Sequence, residues 1–189
     1  MSEGLHNDKL QQTLRAAADG DDDAWRSIVD AYTRRVHGLI RAQCGNPELA
    51  EEITQSTFCT IVEKIGSYTE LGKFEAWLFR IAMNRLRDEM RRRKRHARPI
   101  EHEKLAGLAG GVEPEADPFG PAGGSALAEA LDKLSESDRR IIHLRHLAEL
   151  SFKQIAELLD EPLGTVLARQ HRALRKLREH LRGTELDEE

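Results

Sequence analysis

The chain has 189 residues, with 29 Lys and Arg against 33 Asp and Glu, two cysteines and 39% apolar residues, enough for one domain or two small ones with real cores. A charged fraction of 33% and a mean hydropathy of −0.58 read as a polar, helical, soluble chain. No uncharged stretch approaches the ~20 residues of a membrane span, the N-terminus MSEGLHNDKLQQ lacks the basic-then-apolar order of a secretion signal, and two distant cysteines without C-x-x-C argue against a disulfide scaffold or a zinc site.

Along the chain, Asp23 is expected to cap a helix from Ala24 to about Cys44, with Trp25, Ile28, Val29, Tyr32, Val36, Leu39 and Ile40 at three-and-four spacing. Gly45-Asn46 ends it, and Pro47 suits the first turn of a second helix to about Ile65. That helix carries Leu49, Ile53, Phe58, Ile61, Val62 and Ile65 along one side. A turn at Gly66–Gly72 precedes a long helix from near Phe74 through Trp77, Leu78, Ile81, Leu86 and Met90 into an arginine run. Gly107–Gly124 holds six Gly and three Pro in eighteen residues and reads as a flexible linker. Beyond it three or four short helices are expected. Ser135 opens one to about Leu147, Ser151 one to about Leu159, and a last runs from Thr165 to about Arg182 before an acidic tail. No strand is predicted. The fold class is all-α: two small helical domains, 1–98 and 126–183, joined by a linker over 99–125, with a tail over 184–189.

The net charge of −4 is arranged in blocks. Arg85–Arg98 carries eight Lys/Arg against two acids and Arg169–Arg182 six against one, while Pro99–Lys133 has seven acids and two bases. Two basic segments flank an acidic one, a distribution that suits nucleic acid better than the average charge does.

Phe152–Arg182 has the layout of a helix-turn-helix. Ile155, Leu158 and Leu159 face inward, Ala156 is small at the crossing, Val166 plugs the junction, and Asp160 takes the turn position where Gly is commonest. On the long helix Val166, Gln170, Ala173, Leu174, Leu177 and Leu181 form one side, leaving Leu167, Arg169, His171, Arg172, Arg175, Lys176 and Arg178 for the rest. Such a helix fits the major groove, its first turns meeting base edges while flanking cations meet phosphates. The plainer alternative is a bundle helix with a solvated basic face.

In the first half, Tyr68, Phe74, Trp77 and Phe79 cluster within twelve residues, followed by Arg80, Asn84, Arg85, Arg87 and Arg91–Arg95. Aromatic faces stack unpaired bases while Arg follows the backbone; alternatively, Phe74, Trp77 and Ile81 are core and the arginines a solvated helix end. The acids of Glu48–Glu52, with Gln55, Ser56 and Phe58 beyond, either favour a helix N-terminus or offer a docking face to a basic protein. His143 and His146 read as helix-surface histidines, and Cys44 and Cys59 as buried small residues. No phosphate loop, nucleophile motif or metal spacing points to an enzyme, and neither a metal nor a cofactor is expected.

Region by region, the chain resembles the extracytoplasmic-function (ECF) subgroup of the sigma-70-like bacterial RNA polymerase sigma factors. Leu49–Phe58 resembles region 2.2, Phe74–Asn84 region 2.3, and Leu144-Arg145, Leu150–Ala156 and Pro162–Val166, continued by Arg169, Arg172, Ala173 and Leu174, region 4. The resemblance implies a cytoplasmic protein that binds core polymerase and recognises and melts promoter −10 and −35 elements. Region 2 would dock on the β′ clamp helices through Glu48, Glu51, Glu52, Gln55 and Phe58. It would hold the single-stranded non-template −10 strand with Tyr68, Lys73, Trp77, Arg80, Asn84, Arg87 and Arg91, the loop Ser67–Lys73 capturing a flipped base. Region 4 would contact the β flap and read the duplex −35 element with Thr165, Leu167, Ala168, Arg169, Gln170, His171, Arg172 and Arg175. The acidic linker would run through the RNA exit path, and an anti-sigma factor is a further implied partner.

The chain departs from the family pattern at three places. Leu49 stands where the first acid of region 2.2 is usual, with Glu48 as its substitute. Ser56-Thr57 stand where another acid is common, and a phosphate there would add about −1.5 to −2 charges. Leu167 and Ala168 replace a basic residue and Ser, so −35 reading shifts to Gln170, His171 and Arg172, with Leu167 or Ala168 against a thymine methyl. The competing functional reading is a stand-alone helix-turn-helix regulator on duplex DNA, which would have no use for the aromatic loop and helix.

Overall fold

A computed structural model of the chain describes residues 2–69, 72–97 and 123–186. Residues 98–122, which take in most of the expected linker, and the last three tail residues lie outside the described residues. Eight α-helices and one 3-10 turn, with no strand among the described residues, make up the fold. The N-terminal group is α1 (Ser2–Ala18), α2 (Asp22–Cys44), α3 (Pro47–Lys64), the 3-10 turn Ile65–Ser67 and α4 (Phe74–Ala97). The C-terminal group is α5 (Gly123–Asp132), α6 (Glu136–His146), α7 (Phe152–Leu159) and α8 (Leu163–Leu186).

Local chemistry sets the helix ends. Asp21, not Asp23, caps α2: its carboxylate accepts from the Ala24 N–H at 2.8 Å, leaving Asp22 and Asp23 in the first turn, where negative charge is favoured. Gly45, left-handed at φ 67°, closes α2, and Asn46 caps α3 by accepting from the Leu49 N–H at 2.8 Å. Pro47 takes the first helical position, where its missing N–H costs nothing.

Helices α2, α3 and α4 enclose Ile28, Val36, Leu39, Ile40, Ile61, Phe74, Leu78 and Phe79, with Leu14 and Ala17 of the unforeseen α1 packed on them. Three residues of the expected apolar stripes face solvent, Val29 at 38% exposure, Val62 at 55% and Met90 at 48%. On α3 the inward positions are held instead by Thr54, Thr57 and Thr60, whose hydroxyls donate to the carbonyls of Ala50, Ile53 and Ser56 one turn earlier. Satisfying the hydroxyl within the helix removes most of the cost of burying it. Thr57 is thereby sealed from modification, while Ser56 stays half-exposed.

In the C-terminal group Ala130, Leu134, Ile142, Ala173 and Leu177 form a core between α5, α6 and α8. Helix α5 begins at Gly123, inside the expected linker, because a first turn tolerates glycine and the following Ala-Leu-Ala-Glu-Ala-Leu run propagates it. Helix α8 continues to Leu186, beyond the expected end at Arg182. The second apolar group here, Ile141, Leu144, Ala148, Leu150, Ile155 and Val166, is continuous with the core of α1 to α4.

Ser151 and Gln154 form a full capping box at the start of α7: the Ser151 hydroxyl accepts from the Gln154 N–H and the Gln154 amide oxygen accepts from the Ser151 N–H at 2.7 Å. Ser151→Ala is expected to cost about 1 kcal/mol. For a chain of this size that is a fall of about 2–4 °C in Tm, measurable by circular dichroism.

Candidate nucleic-acid interface

The sharp turn between α7 and α8 is built by Asp160, left-handed at φ 55° and ψ 44°, whose N–H donates back to the Ala156 and Glu157 carbonyls. An aspartate tolerates this conformation better than most residues with a Cβ. Val166, fully buried, then seats α8 against Ile155. On α8 the buried positions Val166, Gln170, Ala173 and Leu177 define the inner side. Thr165, Leu167, Ala168, His171, Arg172 and Arg175 are exposed, with Ala168 and Arg175 pointing most directly away from the core by helical spacing.

Two expected reading residues are placed otherwise. Gln170 is only 5% exposed, at the junction with the inner side, and cannot meet a base edge from there. Its spacing from Val166 and Ala173 already put it on that side. Arg169 lies on the flank, its guanidinium donating to the Glu161 carboxylate at 2.9 Å across the turn. Leu174, expected inside, is 37% exposed. Lys176 pairs with the buried Asp138 at 2.7 Å. Burial pushes the Asp138 carboxyl up, but hydrogen bonds from Lys176 and Ser135 and the nearby Lys176 and Arg172 charges outweigh it and leave the group below its ordinary value.

On α4, Trp77, Arg80, Asn84, Arg87 and Arg91 recur every three or four residues and share one face, with Lys73 just before the helix in line with them. From Arg80 to Arg91 the strip spans about 16 Å at 1.5 Å per residue. At its upper end Tyr68 and Trp77 stack, with ring centroids 4.5 Å apart and planes at 27°, and Phe74 backs both rings from the core. Phe74 and Phe79 are buried outright, whereas Tyr68 and Trp77 are half-exposed. The core reading therefore holds for Phe74, while Tyr68 and Trp77 keep ring surface open to solvent. On the opposite face of α4, by helical spacing, Glu89 accepts from Arg92 and Arg93, which hold its carboxyl down to about 2.

On α3, Glu48, Glu51, Glu52 and Gln55 are exposed, Gln55 donating to Glu51 at 3.1 Å, while Phe58 is half-buried against the core. Cys59, expected to be buried, is exposed, and it continues this face with Val62. Neither was anticipated here; helical spacing from Glu51 and Gln55 was the available signal.

His143 is a correction of a different kind. Expected on the surface, it is 6% exposed, its Nδ1 3.1 Å from the Gln43 amide nitrogen, because α6 packs against α2. Burial first, then the Arg139 charge, lowers its pKa from 6.5 to about 4. The unfolded chain therefore binds this proton more readily than the folded one. The stability contributed by neutral His143 is present above about pH 6.5 and is lost as the pH falls toward about 4. Urea unfolding at pH 7 and pH 5 is expected to show a larger loss in the wild type than in His143→Gln.

No described helix is long and apolar enough to cross a membrane. Residues 28–96 match the family model of sigma-70 region 2, and residues 130–179 that of sigma-70 region 4. The ECF RNA polymerase sigma factor SigW of Bacillus subtilis is 33% identical, over 92% of this chain and 97% of its own length. The RNA polymerase sigma factor CarQ of Myxococcus xanthus is 30% identical, over 89% and 95%. Among solved structures, CnrH in complex with the cytosolic domain of CnrY shares the fold with a TM-score of 0.66 at 22% identity, covering 92% of this chain and 97% of that one. RpoE of Bartonella quintana, in complex with the anti-sigma factor NepR, gives a TM-score of 0.67 at 22% identity, over 83% and 96%.

Proposed function

Because the chain belongs to the ECF sigma factors of the sigma-70 family, whose members bind core RNA polymerase and direct it to promoters, we propose a division of that work among its surfaces. Residues 1–98 act as the region 2 domain and 126–183 as the region 4 domain. The α3 face of exposed Glu48, Glu51, Glu52 and Gln55 with half-buried Phe58 docks on the β′ clamp helices, with Cys59 and Val62 extending it. The Tyr68–Trp77 stack and the Lys73, Arg80, Asn84, Arg87 and Arg91 strip hold the melted −10 non-template strand, aromatic rings taking base faces and guanidinium groups the phosphates. Helix α8 reads the −35 duplex with Thr165, Leu167, Ala168, His171, Arg172 and Arg175, while Arg169 braces the helix from its flank.

The observation that carries this assignment is the single strip on α4 that runs from a half-exposed aromatic stack into a line of cations. A duplex-only regulator has no use for it. The work is binding and strand separation without bond chemistry, and its place is the cytoplasm. An anti-sigma factor, of the kind seen on RpoE, is proposed as the restraining partner.

Promoter-dependent transcription tests the reading, using core polymerase with and without the chain on the DNA upstream of its own gene. A specific transcript that needs both components is expected. Tight duplex binding by the chain alone, with no association with core, would overturn it.

A further inference from the structure

The two helical groups meet along one seam, and the seam runs over the upper end of the α4 strip. Arg35 of α2, half-buried, donates through Nε and Nη2 to the Ala148 carbonyl at 2.9 and 2.6 Å and through Nη1 to Glu75 at 2.6 Å. The other Glu75 oxygen accepts from the Gln154 amide of α7 at 2.6 Å. Next along, Glu157 of α7 takes two cations at once. Its carboxylate pairs with Lys73 at 2.8 Å and its carbonyl accepts from Arg80 at 2.6 Å. Beyond it Asn84 and Arg87 line a narrow cavity opposite Leu158 and Leu159.

Glu157 thus offers Lys73 and Arg80 a pair of oxygen acceptors, one of them charged, as a backbone phosphate would. We propose that α7 is an internal competitor for the −10 strand: in the clasped chain Glu157 occupies cations needed by single-stranded DNA, and the strip becomes available when the clasp opens. This rests on the assignment of the α4 strip made above. The Lys73–Glu157 pair is half-exposed and weak by itself. The seam holds because charged hydrogen bonds from Arg35 and the continuous apolar packing of Phe152, Leu158 and Leu159 act together with it. The apparent affinity of such a chain for the strand is reduced by its open fraction, about tenfold when about a tenth of the molecules are open.

The test is binding of the full chain to a labelled single-stranded DNA carrying the non-template −10 element mapped by transcription. Glu157→Ala removes the competitor's carboxylate, and the near-isosteric Glu75→Gln weakens the clasp with little risk to the fold; thermal melts confirm that each variant is folded. Each is expected to bind the strand several-fold more tightly than wild type, and the double variant about tenfold, with wild-type transcription at saturating core. Asp30→Ala, which removes an exposed acid elsewhere, controls for net charge. Equal affinity in wild type and the double variant, or an equal gain from Asp30→Ala, overturns the proposal while leaving the sigma-factor assignment intact. Failure of the wild-type chain to support any transcript overturns that assignment, and the proposal with it.

Discussion

Phe79→Ala destabilises the chain by about 3–5 kcal/mol, a large share of the 5–15 kcal/mol that holds a typical domain together. The ring is fully buried on the inner face of α4, among Ile28, Leu39, Ile61 and Leu78. Truncation removes its transfer free energy and leaves a void that helices fixed by their own caps close only in part. A second layer is lost with it, since the Arg35 guanidinium lies over the ring at 5.5 Å and over Tyr32 at 5.1 Å. Urea unfolding followed by tryptophan fluorescence measures the loss through Trp25 and Trp77. Val62→Ala, on the exposed side of α3, changes stability by no more than about 0.5 kcal/mol. Comparable losses in both variants would contradict the placement of the core.

Trp77→Ala has its largest effect on promoter opening. Trp77 is half-exposed, so truncation leaves most of the core in place, but it removes the upper half of the Tyr68–Trp77 stack. Stacking a base on such a ring is worth about 1–3 kcal/mol. That corresponds to a loss of about 5–150-fold in transcription from a duplex promoter at limiting protein. A template whose −10 segment is already unpaired by mismatches recovers much of the activity, because the unpairing cost has been met beforehand. An equal loss on both templates, with a lowered melting temperature, would assign Trp77 to packing alone.

Several helix ends were legible where a single residue chooses between backbone states, although in the run Asp21–Asp23 the cap falls two residues before its expected place. Ser135, Ser151, Asn46-Pro47 and the left-handed Asp160 are signals of this kind, and helices start or stop beside each. The inner faces were less legible, for a reason visible on α3. There Thr54, Thr57 and Thr60 satisfy their hydroxyls inside the helix and take positions that a hydropathy pattern gives to Val62 and Phe58. Helix α1 escaped notice because the buried patch among its described side chains, Leu14 and Ala17, is too short to set a period. The candidate site divides the same way. The α4 strip was named from the family resemblance, with the three-and-four spacing of Trp77, Arg80, Asn84, Arg87 and Arg91 agreeing, and Gln170 was legible as an inner residue before it was assigned to DNA. The seam through Arg35, Glu75 and Glu157 joins residues 35, 75 and 157, and no local pattern encodes a pairing across such separations.

Several of the hydrogen bonds across that seam end on main-chain carbonyls rather than on side chains. Arg35 and Arg80 donate to the carbonyls of Ala148 and Glu157, and the Ala148 carbonyl belongs to a turn carried through the left-handed Glu149 at φ 55°. A main-chain acceptor survives any substitution that preserves the path of the backbone. Mutational drift in the C-terminal helices can therefore alter their DNA-reading side chains while these two anchorage points persist, whereas a single change at Arg35 or Arg80 removes one of them. Transplanting a different helix-turn-helix with the same turn onto this N-terminal half should carry both carbonyl anchors with it, so promoter preference and domain docking can evolve as separable traits.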